Sequence, residues 1–229
     1  MRSSIAVLIL LAATGAAVAG DNNEAYLIQL SPLGTIEGNT LSIDQEDASD
    51  SRVQGIGSQL IGEGPSWLFN AIIGTDPLLA TQRGEGNQAT VGMNGTGGQL
   101  QLLQTNFESS PWVPGEAGGY NNAILNSLGD SLGAVVQIGE SNMAELSLDA
   151  GAQGLIAQWG TGLSATLNVA SDGQGTIFQK GNGSSVGTVN VLSNNAVTWT
   201  QIGDGLTATS PGLIFSTSPG AITITQIAF

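Results

Sequence analysis

The sequence predicts an all-β fold, and within that class a β-solenoid of stacked strand-turn-strand repeats of about 21–22 residues. Three observations carry this prediction. A glutamine recurs at nearly constant spacing, at Gln137, Gln158, Gln179 and Gln201. Each of these glutamines is followed two positions later by a glycine. The composition, with 34 glycines in 229 residues and 5% aromatic residues, argues against a bundle of helices.

The first nineteen residues (1–19) have the pattern of a secretory signal peptide. Arg2 supplies a positive charge, residues 5–13 are apolar, and residues 17–19 are the small residues expected before a cleavage site. A membrane span would need about 20 consecutive apolar residues, and we find no such segment later in the chain. We therefore expect a secreted protein that begins at Gly20 and does not insert into a membrane.

Residues 20–77 form an N-terminal region with a weaker pattern. Residues 26–29 and 38–43 are consistent with the two strands of a degenerate rung, where a rung is one repeat of the stack. The acidic segment 44–50 favours a solvated loop, with a calcium site as the alternative. The apolar cluster from Trp67 to Ile73 is expected to cap the first rung or to pack in a core; contact with a partner is the other reading.

Residues 78–229 form the predicted repeat domain. In each repeat an alternating segment precedes the glutamine, a glycine-containing turn follows it, and a second alternating segment comes after the turn. An insertion is expected near residues 105–115, and Gln104 belongs either to the repeat or to the flank of that insertion. About six rungs are counted from Gln82 to Gln226.

The repeated positions define a predicted structural ladder. Parallel strands stacked at about 4.8 Å place equivalent side chains above one another, so buried glutamines can bond through their amides from rung to rung. Glutamate replaces glutamine at position 116, one repeat length before Gln137. The predicted ladder residues are Gln82, Gly84, Asn87, Ala89, Glu116, Gly118, Asn121, Ala123, Ser131, Gln137, Gly139, Asn142, Ala144, Gln158, Gly160, Ala165, Gln179, Gly181, Val186, Gln201, Gly203, Ala208 and Gln226.

One repeat carries a family resemblance. Residues 131–144 contain Ser131, five further residues, Gln137-Ile-Gly139, two residues and then Asn142-Met-Ala144. This arrangement resembles the curlin repeat, and the serial matches extend over roughly residues 78–229. The sequence departs from that pattern where Leu163, Ser184 and Leu206 stand at the asparagine position, and where Leu148, Val169 and Asn190 replace the second glutamine. We therefore expect a core that is more aliphatic than that of a typical major curlin.

The resemblance implies a structural subunit of an extracellular, curli-like amyloid fibre on the cell surface, which supports adhesion and the biofilm matrix. It implies a homopolymer, with other curlin-like subunits and an outer-membrane secretion pore as further partners. The protein is then either the principal subunit, a minor or nucleating subunit, or a divergent relative. Residues 221–229 are predicted to form an exposed strand that docks head to tail onto an early rung of the next copy.

Charge and composition argue against several other functions. Without Arg2 the chain has three cations and eighteen carboxylates, a formal charge of −15, which disfavours nucleic-acid and anionic-lipid partners. There is no cysteine or histidine, so disulfides, the usual zinc and haem sites and Ser–His or Cys–His nucleophiles are not expected. We expect no cofactor, no metal site and no catalytic residue.

Two alternatives to a fibre subunit stay open. A β-helix enzyme acting on polysaccharides would need clustered carboxylates, whereas Glu140, Glu145, Asp149, Asp172 and Asp204 are scattered over the repeats. A monomeric adhesin could bind through Trp159, Trp199 or the aromatic insertion, although aromatic residues in strands more often serve packing.

Overall fold

The structure, a computed structural model, describes residues 22–30, 38–57, 77–105, 119–208 and 220–228. Within these ranges every regular element is a β-strand, and the seventeen strands form two sheets, which we name sheet A and sheet B. All strand pairs reported for these ranges are parallel. The predicted all-β class is confirmed.

Sheet A contains ten strands. Short strands build its first two rungs: β1 (Glu24–Ala25) and β2 (Leu27–Leu30) lie in rung 1, and β5 (Arg52–Gln54) and β6 (Ala80–Arg83) lie in rung 2. Rungs 3 to 8 each contain one longer strand, in the order β8 (Gln99–Thr105), β10 (Leu132–Glu140), β12 (Gln153–Thr161), β14 (Gln174–Asn182), β16 (Ala196–Ile202) and β17 (Ala221–Ile227).

Sheet B contains seven strands. The short β4 (Ala48–Ser49) pairs with the end of β7, and the remaining six strands lie side by side in chain order. They are β3 (Thr40–Asp44), β7 (Gln88–Thr96), β9 (Asn122–Leu128), β11 (Met143–Leu148), β13 (Ser164–Val169) and β15 (Ser185–Val191). Beyond β15, a single bridge joins Ser185 to Thr207.

The chain alternates between the two sheets, so each rung is one level of sheet A followed by one level of sheet B. From rung 4 to rung 5 the partners are one repeat apart: Gln137 pairs with Gln158 in sheet A, and Ala144 pairs with Ala165 in sheet B. Because the pairs are parallel and in register, residues that are equivalent in sequence become neighbours in space. This register is what places the candidate functional residues in columns.

The space between the two sheets holds the main apolar core. Large residues of sheet B meet small residues of sheet A there: a Cβ atom on Gly154 would lie 2.7 Å from side-chain carbons of both Leu146 and Leu148. Gly133 and Gly175 occupy the same column as Gly154. In rungs 7 and 8 this column changes to Val197 and Ile222. Glycine in sheet A therefore leaves the volume that the sheet B leucines fill.

The outer face of sheet A is apolar as well, which alternation in the sequence did not predict. Strand β10 is buried along nearly its whole length, whereas β11 in sheet B alternates between buried and exposed residues. Contiguous apolar runs are typical of parallel strands that are buried on both faces. The outer cluster comprises Ile56, Leu103, Ala134, Val136, Ile138, Leu155, Ala157 and Phe178, with Trp159 partly buried beside it.

A β-bulge in β15 explains one irregular repeat length. Ser164 pairs with Ser185 but Thr166 pairs with Thr188, so β15 carries one extra residue, and Gly187 there has a φ of 72°. This residue accounts for the step of 22 rather than 21 between the glutamines of rungs 6 and 7.

The bulge also corrects one sequence assignment. Val191, and not Asn190, shares the column of Leu148 and Val169. Asn190 pairs instead with Asn168, whose amide it accepts at 2.9 Å.

Several sequence predictions lie outside the described residues. These are the signal peptide at residues 1–19, the apolar cluster from Trp67 to Ile73, Glu116, Gly118, and the predicted insertion except for Thr105. The two segments suggested for a degenerate rung are described, and they pair with rung 2 through β2 and β3.

Candidate functional site

Eight glutamine side chains form one column between the sheets. Each of the first seven donates an Nε2–H to the Oε1 atom of the glutamine in the next rung, at 2.6 to 3.0 Å. All seven bonds run in the same direction along the chain. The members are Gln29, Gln82, Gln104, Gln137, Gln158, Gln179, Gln201 and Gln226.

The glutamines also link the two sheets. The Nε2 atom of Gln158 donates to the backbone carbonyl of Met143 at 2.9 Å, and that of Gln137 donates to the carbonyl of Asn122 at 3.0 Å. The carbonyl in each case belongs to sheet B of the preceding rung. The side chains of Gln137 and Gln158 are fully buried, so these bonds satisfy amides whose burial would otherwise be costly.

Small residues in sheet B sit next to the glutamine column. Ala144 directly follows Met143, and its side chain is 1% exposed. We infer that a small side chain here leaves room for the glutamine amide to reach the sheet B backbone. The predicted members of this column are all buried: Ala89, Ala123, Ala144, Ala165, Val186 and Ala208.

A second amide column runs along the turns. Asn39, Asn87, Asn121 and Asn142 follow one another, and each Oδ1 atom accepts the backbone N–H of the next rung at 3.0 to 3.2 Å. The final acceptor, Asn142, receives the N–H of Leu163. The asparagine column therefore ends at rung 4, because Leu163 in rung 5 has no side-chain acceptor for rung 6.

The turn glycines form a third column, and here the conformation requires glycine. Gly139, Gly160, Gly181 and Gly203 have φ values between 111° and 142°, which residues with a side chain rarely adopt. A Cβ atom on Gly160 would also overlap the carbonyl oxygen of Gly181 in the next rung. Both the backbone angle and the close approach of successive rungs exclude a side chain at these positions.

The structure corrects the sequence assignment of rung 3. Gln104 pairs with Gln82 on one side and with Gln137 on the other, so it occupies the ladder position that was assigned to Glu116. The cause is the insertion, which falls between the glutamine and the asparagine of this rung, so that counting one repeat back from Gln137 gives the wrong residue. With Gln104 included, seven glutamines lie in the column from Gln82 to Gln226, compared with the count of about six.

The sequence pattern missed two functional positions and left a third open. Gln29 and Asn39, which were missed, bond to the columns in rung 1, and Gln104, which was left open, completes rung 3. A usable signal existed for Gln104, since it lies 22 residues after Gln82. Gln29 lies 53 residues before Gln82, and no repeat period reveals that distance.

Ser131 lies in the column where the curlin pattern has serine. Its side chain is 3% exposed, and its Oγ atom has no hydrogen-bond partner among the described residues. Ala152 takes the equivalent place in the next rung, and its backbone carbonyl accepts the N–H of Leu132. The hydroxyl therefore does not join a ladder.

The two ends of sheet A are open edges among the described residues. At the C-terminal end, β17 pairs with β16 on one side alone, and at the other end β1 and β2 pair only with rung 2. The sequence of β17 has no charged residue, proline or bulge to protect its edge. Sheet B differs, because β15 carries the bulge.

These two ends are complementary in hydrogen bonding. Among the described residues, Gln226 has no acceptor for its Nε2 atom, and Gln29 has no donor to its Oε1 atom. One end of the column therefore offers a donor and the other end an acceptor. Gln226 and Gln29 are both partly buried, as are the neighbouring inward-facing residues Ile224 and Leu27.

Among the described residues, most carboxylates lie in turns and loops between the strands. Glu140, the last residue of β10, and Asp204, in the turn after β16, lie three rungs apart, about 14 Å at the strand spacing. Asp204 accepts the backbone N–H of Asn182 at 2.8 Å, which is a structural contact. Burial lowers the pKa of the Arg83 guanidinium. The described residues contain no group of three or more acidic side chains placed to bind a metal ion.

Two aromatic residues named as binding candidates lie on opposite faces of sheet A. Trp199 is 5% exposed and packs in the core between the sheets. Trp159 lies on the outer face, where the Lys180 ammonium group sits 4.5 Å from its ring centroid. The geometry therefore assigns Trp199 to packing, and it leaves Trp159 in a cation–π contact.

No helix that could span a membrane occurs in the part of the chain that the structure describes. Comparison with protein-family models, with curated protein sequences and with solved structures finds no match to this chain.

Proposed function

We propose that this chain is a structural subunit of an extracellular, curli-like amyloid fibre that supports surface adhesion and the biofilm matrix. In this proposal the two sheets form a β-solenoid, and the rungs of successive copies stack head to tail. The resemblance of residues 78–229 to the curlin repeat supports it, together with parallel strands whose equivalent residues lie in register. Export by the signal peptide and passage through an outer-membrane pore belong to the same proposal.

The single observation that carries the proposal is the direction of the glutamine column. Seven bonds run the same way and leave a donor on Gln226 and an acceptor on Gln29. When the C-terminal end of one copy meets the N-terminal end of the next, the Nε2 atom of Gln226 can donate to the Oε1 atom of Gln29. Contact between two like ends would instead place two donors or two acceptors together. Head-to-tail stacking is open-ended, so it produces a filament.

The columns also define the register of this junction. Gln29 and Gln226 share one column, so β17 of one copy pairs with β1 and β2 of the next in an unbroken continuation of sheet A. Ile224 then stacks on Leu27, and Ile222 stacks on Ala25. Each of these contacts buries apolar surface that is partly exposed in a single copy. The junction thus repeats the internal contacts between rungs.

Assembly is tested with residues 20–229, diluted from denaturant and followed by thioflavin-T fluorescence, electron microscopy and fibre diffraction. We expect a lag, followed by filaments with one reflection at about 4.7 Å and another at about 10 Å. A β-rich protein that stays monomeric for weeks at several concentrations, with and without seeds, would rule out the fibre function.

A blocked edge tests the junction itself. Gly220 and Ala228 bond to β16 through their backbones, and backbone groups alternate along a strand, so the N–H of Thr225 points toward the open edge. Thr225→Pro removes that donor while leaving the bonds to β16 in place. We expect the variant to fold, to fail to polymerise alone, and to stop wild-type growth at substoichiometric amounts, because its N-terminal end still docks. Polymerisation of the variant at the wild-type rate would contradict the proposed junction between β17 of one copy and β1 and β2 of the next.

A minor or nucleating subunit of the same fibre is the second candidate. The break in the asparagine column favours it, because Leu163 offers no acceptor to rung 6. Between rungs 6 and 7 the hydroxyl of Ser184 accepts the N–H of Leu206 at 3.1 Å in place of an asparagine. A nucleating subunit would shorten the lag of another curlin-like subunit when added in trace amounts. A principal subunit would instead form filaments alone and make up their mass.

A further inference from the structure

We propose that Asn94 is a site of spontaneous deamidation in the folded protein, where its side-chain amide becomes a carboxylate without an enzyme. The chain contains two asparagine–glycine pairs, Asn94-Gly95 and Asn182-Gly183. A glycine after asparagine favours this reaction, because it has no Cβ atom to hinder the ring closure. The structure separates the two pairs, since it holds one asparagine amide in place and leaves the other free. This proposal does not depend on the proposed fibre function.

The reaction has two steps, and its atoms balance. The backbone nitrogen of Gly95 gives its proton to solvent base and attacks Cγ of Asn94, so that an N–Cγ bond forms, the Cγ–Nδ2 bond breaks and ammonia leaves. Water then opens the cyclic imide at either of its carbonyl carbons. The product is aspartate, or isoaspartate, in which the backbone runs through the former side chain. One water is consumed for each ammonia that is released.

The two pairs are matched in exposure and in backbone contacts. Both asparagines are exposed. Both glycines have a left-handed φ, 87° for Gly95 and 62° for Gly183. The backbone N–H of each glycine donates to a carbonyl of the preceding rung, that of Asp47 at 2.9 Å for Gly95 and that of Thr161 at 2.8 Å for Gly183. That bond must open before either glycine can react, so it does not distinguish the two sites.

The asparagine side chains differ. The Oδ1 atom of Asn182 accepts the backbone N–H of Thr161 at 3.1 Å, and its Nδ2 atom donates to the Asp204 carboxylate at 3.3 Å. Among the described residues, the side chain of Asn94 has no hydrogen-bond partner, and its neighbour in the next rung is Leu128, which has no polar side-chain atom. Asn182 must therefore break two bonds to turn toward its own backbone, whereas Asn94 breaks none.

The surroundings of Asn94 give water access to the reaction. Asn94 lines a groove of about 390 Å³ on the outer side of sheet B, together with Asp44, Asp47 and Asp149. On its other side, the bond from Gly95 to Asp47 lies beside β4, a strand of two residues. Short elements at a surface open locally at low free-energy cost. The Gly95 nitrogen is therefore released by a small local opening.

The product would change this corner of the molecule. Either product adds a carboxylate to a groove that already contains three. Isoaspartate also lengthens the backbone of β7 by one carbon, at the point where β7 pairs with β4 and β9. Because pairing in a sheet depends on register, we expect the isoaspartate form to lose the pairing of Gly95 with Ala48.

The test compares the two sites within one protein. Residues 20–229 are incubated at mildly alkaline pH, folded and in parallel in urea, and peptide mapping by mass spectrometry follows the conversion of Asn94 and Asn182. In urea we expect similar rates at the two sites. In the folded protein we expect Asn94 to react at least about tenfold faster than Asn182, because two hydrogen bonds hold the Asn182 amide.

A variant tests the cause of the protection. Asp204→Ala removes the acceptor of the Asn182 amide, and Glu140→Ala is the control, because Glu140 is also exposed at the end of a strand but does not bond to either asparagine. We expect Asp204→Ala to accelerate the reaction at Asn182 several-fold and to leave Asn94 unchanged, and Glu140→Ala to change neither rate. Circular dichroism verifies that both variants are folded.

The wild-type comparison decides the proposal even without the variants. Equal rates at Asn94 and Asn182 in the folded protein would overturn it. So would an Asn94 that stays intact in the folded protein while the sample in urea converts. If Asn94 reacts faster but folded Asp204→Ala leaves the Asn182 rate unchanged, the side-chain bonds would not be the cause of the difference, and the argument from them would fail.

Discussion

Gln158 shows how one side chain holds three rungs together. It accepts from Gln137 at 3.0 Å, donates to Gln179 at 2.9 Å and donates to the carbonyl of Met143 at 2.9 Å, all without contact with water. Its removal takes one hydrogen-bond partner from a buried polar group on each of three neighbours. Each such group costs about 1–3 kcal/mol, which is more than the net gain from an average hydrogen bond.

Replacing this side chain should therefore weaken the monomer. We expect Gln158→Leu to lower the free energy of unfolding in urea by about 2–4 kcal/mol. Gln153→Leu is the matched control, because Gln153 lies on the same strand with its side chain exposed, and it should change stability by less than about 0.5 kcal/mol. Equal changes in the free energy of unfolding for the two substitutions would mean that the buried hydrogen bonds of Gln158 do not stabilise the protein.

Two glycines of a single turn differ in what excludes a side chain. Gly181 has a φ of 136°, and a Cβ atom there would overlap the carbonyl oxygen of Gly203 in the next rung. Gly183 has a φ of 62°, with nothing within 4 Å of such an atom. Only the backbone conformation disfavours a side chain at Gly183.

Alanine substitutions should separate these two effects. We expect Gly183→Ala to cost about 1–2 kcal/mol, the strain of a left-handed residue. Gly181→Ala should cost at least about twice as much, because the rungs must also move apart. Circular dichroism and urea unfolding of both variants provide the measurement. A Gly181→Ala protein as stable as Gly183→Ala would show that rungs separate without penalty.

At the scale of elements, the fit between sheets depends on pairing small residues with large ones. Glycine at position 154 accommodates Leu146 and Leu148 from sheet B. The alternating pattern of the sequence predicted which residues face inward in sheet B. It did not predict that glycine in sheet A acts as a packing partner, because a glycine in a strand reads as a weak strand former.

A double variant tests this fit. Gly154→Val should destabilise the protein by about 1–3 kcal/mol, since overpacking forces the two sheets apart. Leu146→Ala alone should cost about 2–5 kcal/mol, through the cavity that it leaves. Together they should cost less than the sum of the single changes by about 1 kcal/mol or more, because the valine occupies part of the cavity. Strict additivity in urea unfolding would contradict direct packing between these residues.

The register of the strands could be predicted in part from the sequence. The constant repeat length predicted which strands of rungs 4 to 6 lie side by side, and the described pairs follow that register. The bulge at Gly187 could not be predicted from the sequence, because an extra residue in a strand and an extra residue in a turn lengthen the repeat equally. That ambiguity is why Asn190 was assigned to a column that Val191 fills.

At the scale of the whole molecule, charge opposes assembly while the edges favour it. Residues 20–229 have a formal charge of −15, and the proposed stacking of copies would bring their turn carboxylates to distances comparable to the Debye length. The edge strand β17 is uncharged, so the repulsion is spread over the surface and is screened by salt.

Salt should therefore accelerate fibre growth. Raising NaCl from about 0.01 M to about 0.15 M shortens the Debye length from about 30 Å to about 8 Å, and we expect the thioflavin-T lag of residues 20–229 to shorten several-fold. The urea stability of the Thr225→Pro monomer should change far less over the same range. A lag that lengthens with salt would indicate that assembly depends on attractive ion pairs instead.

The repeat unit and the chemistry of its columns follow from the amino-acid sequence alone. A constant period with parallel strands brings like residues together, so Gln137, Gln158 and Gln179 could be placed from their spacing. Which residues fill rungs 1 and 3 is a matter of tertiary packing. Gln29 meets Gln82 across 53 residues, and Gln104 meets Gln137 across an insertion. Contacts over such distances depend on how sheets pack and where insertions leave the stack, and no local period encodes either.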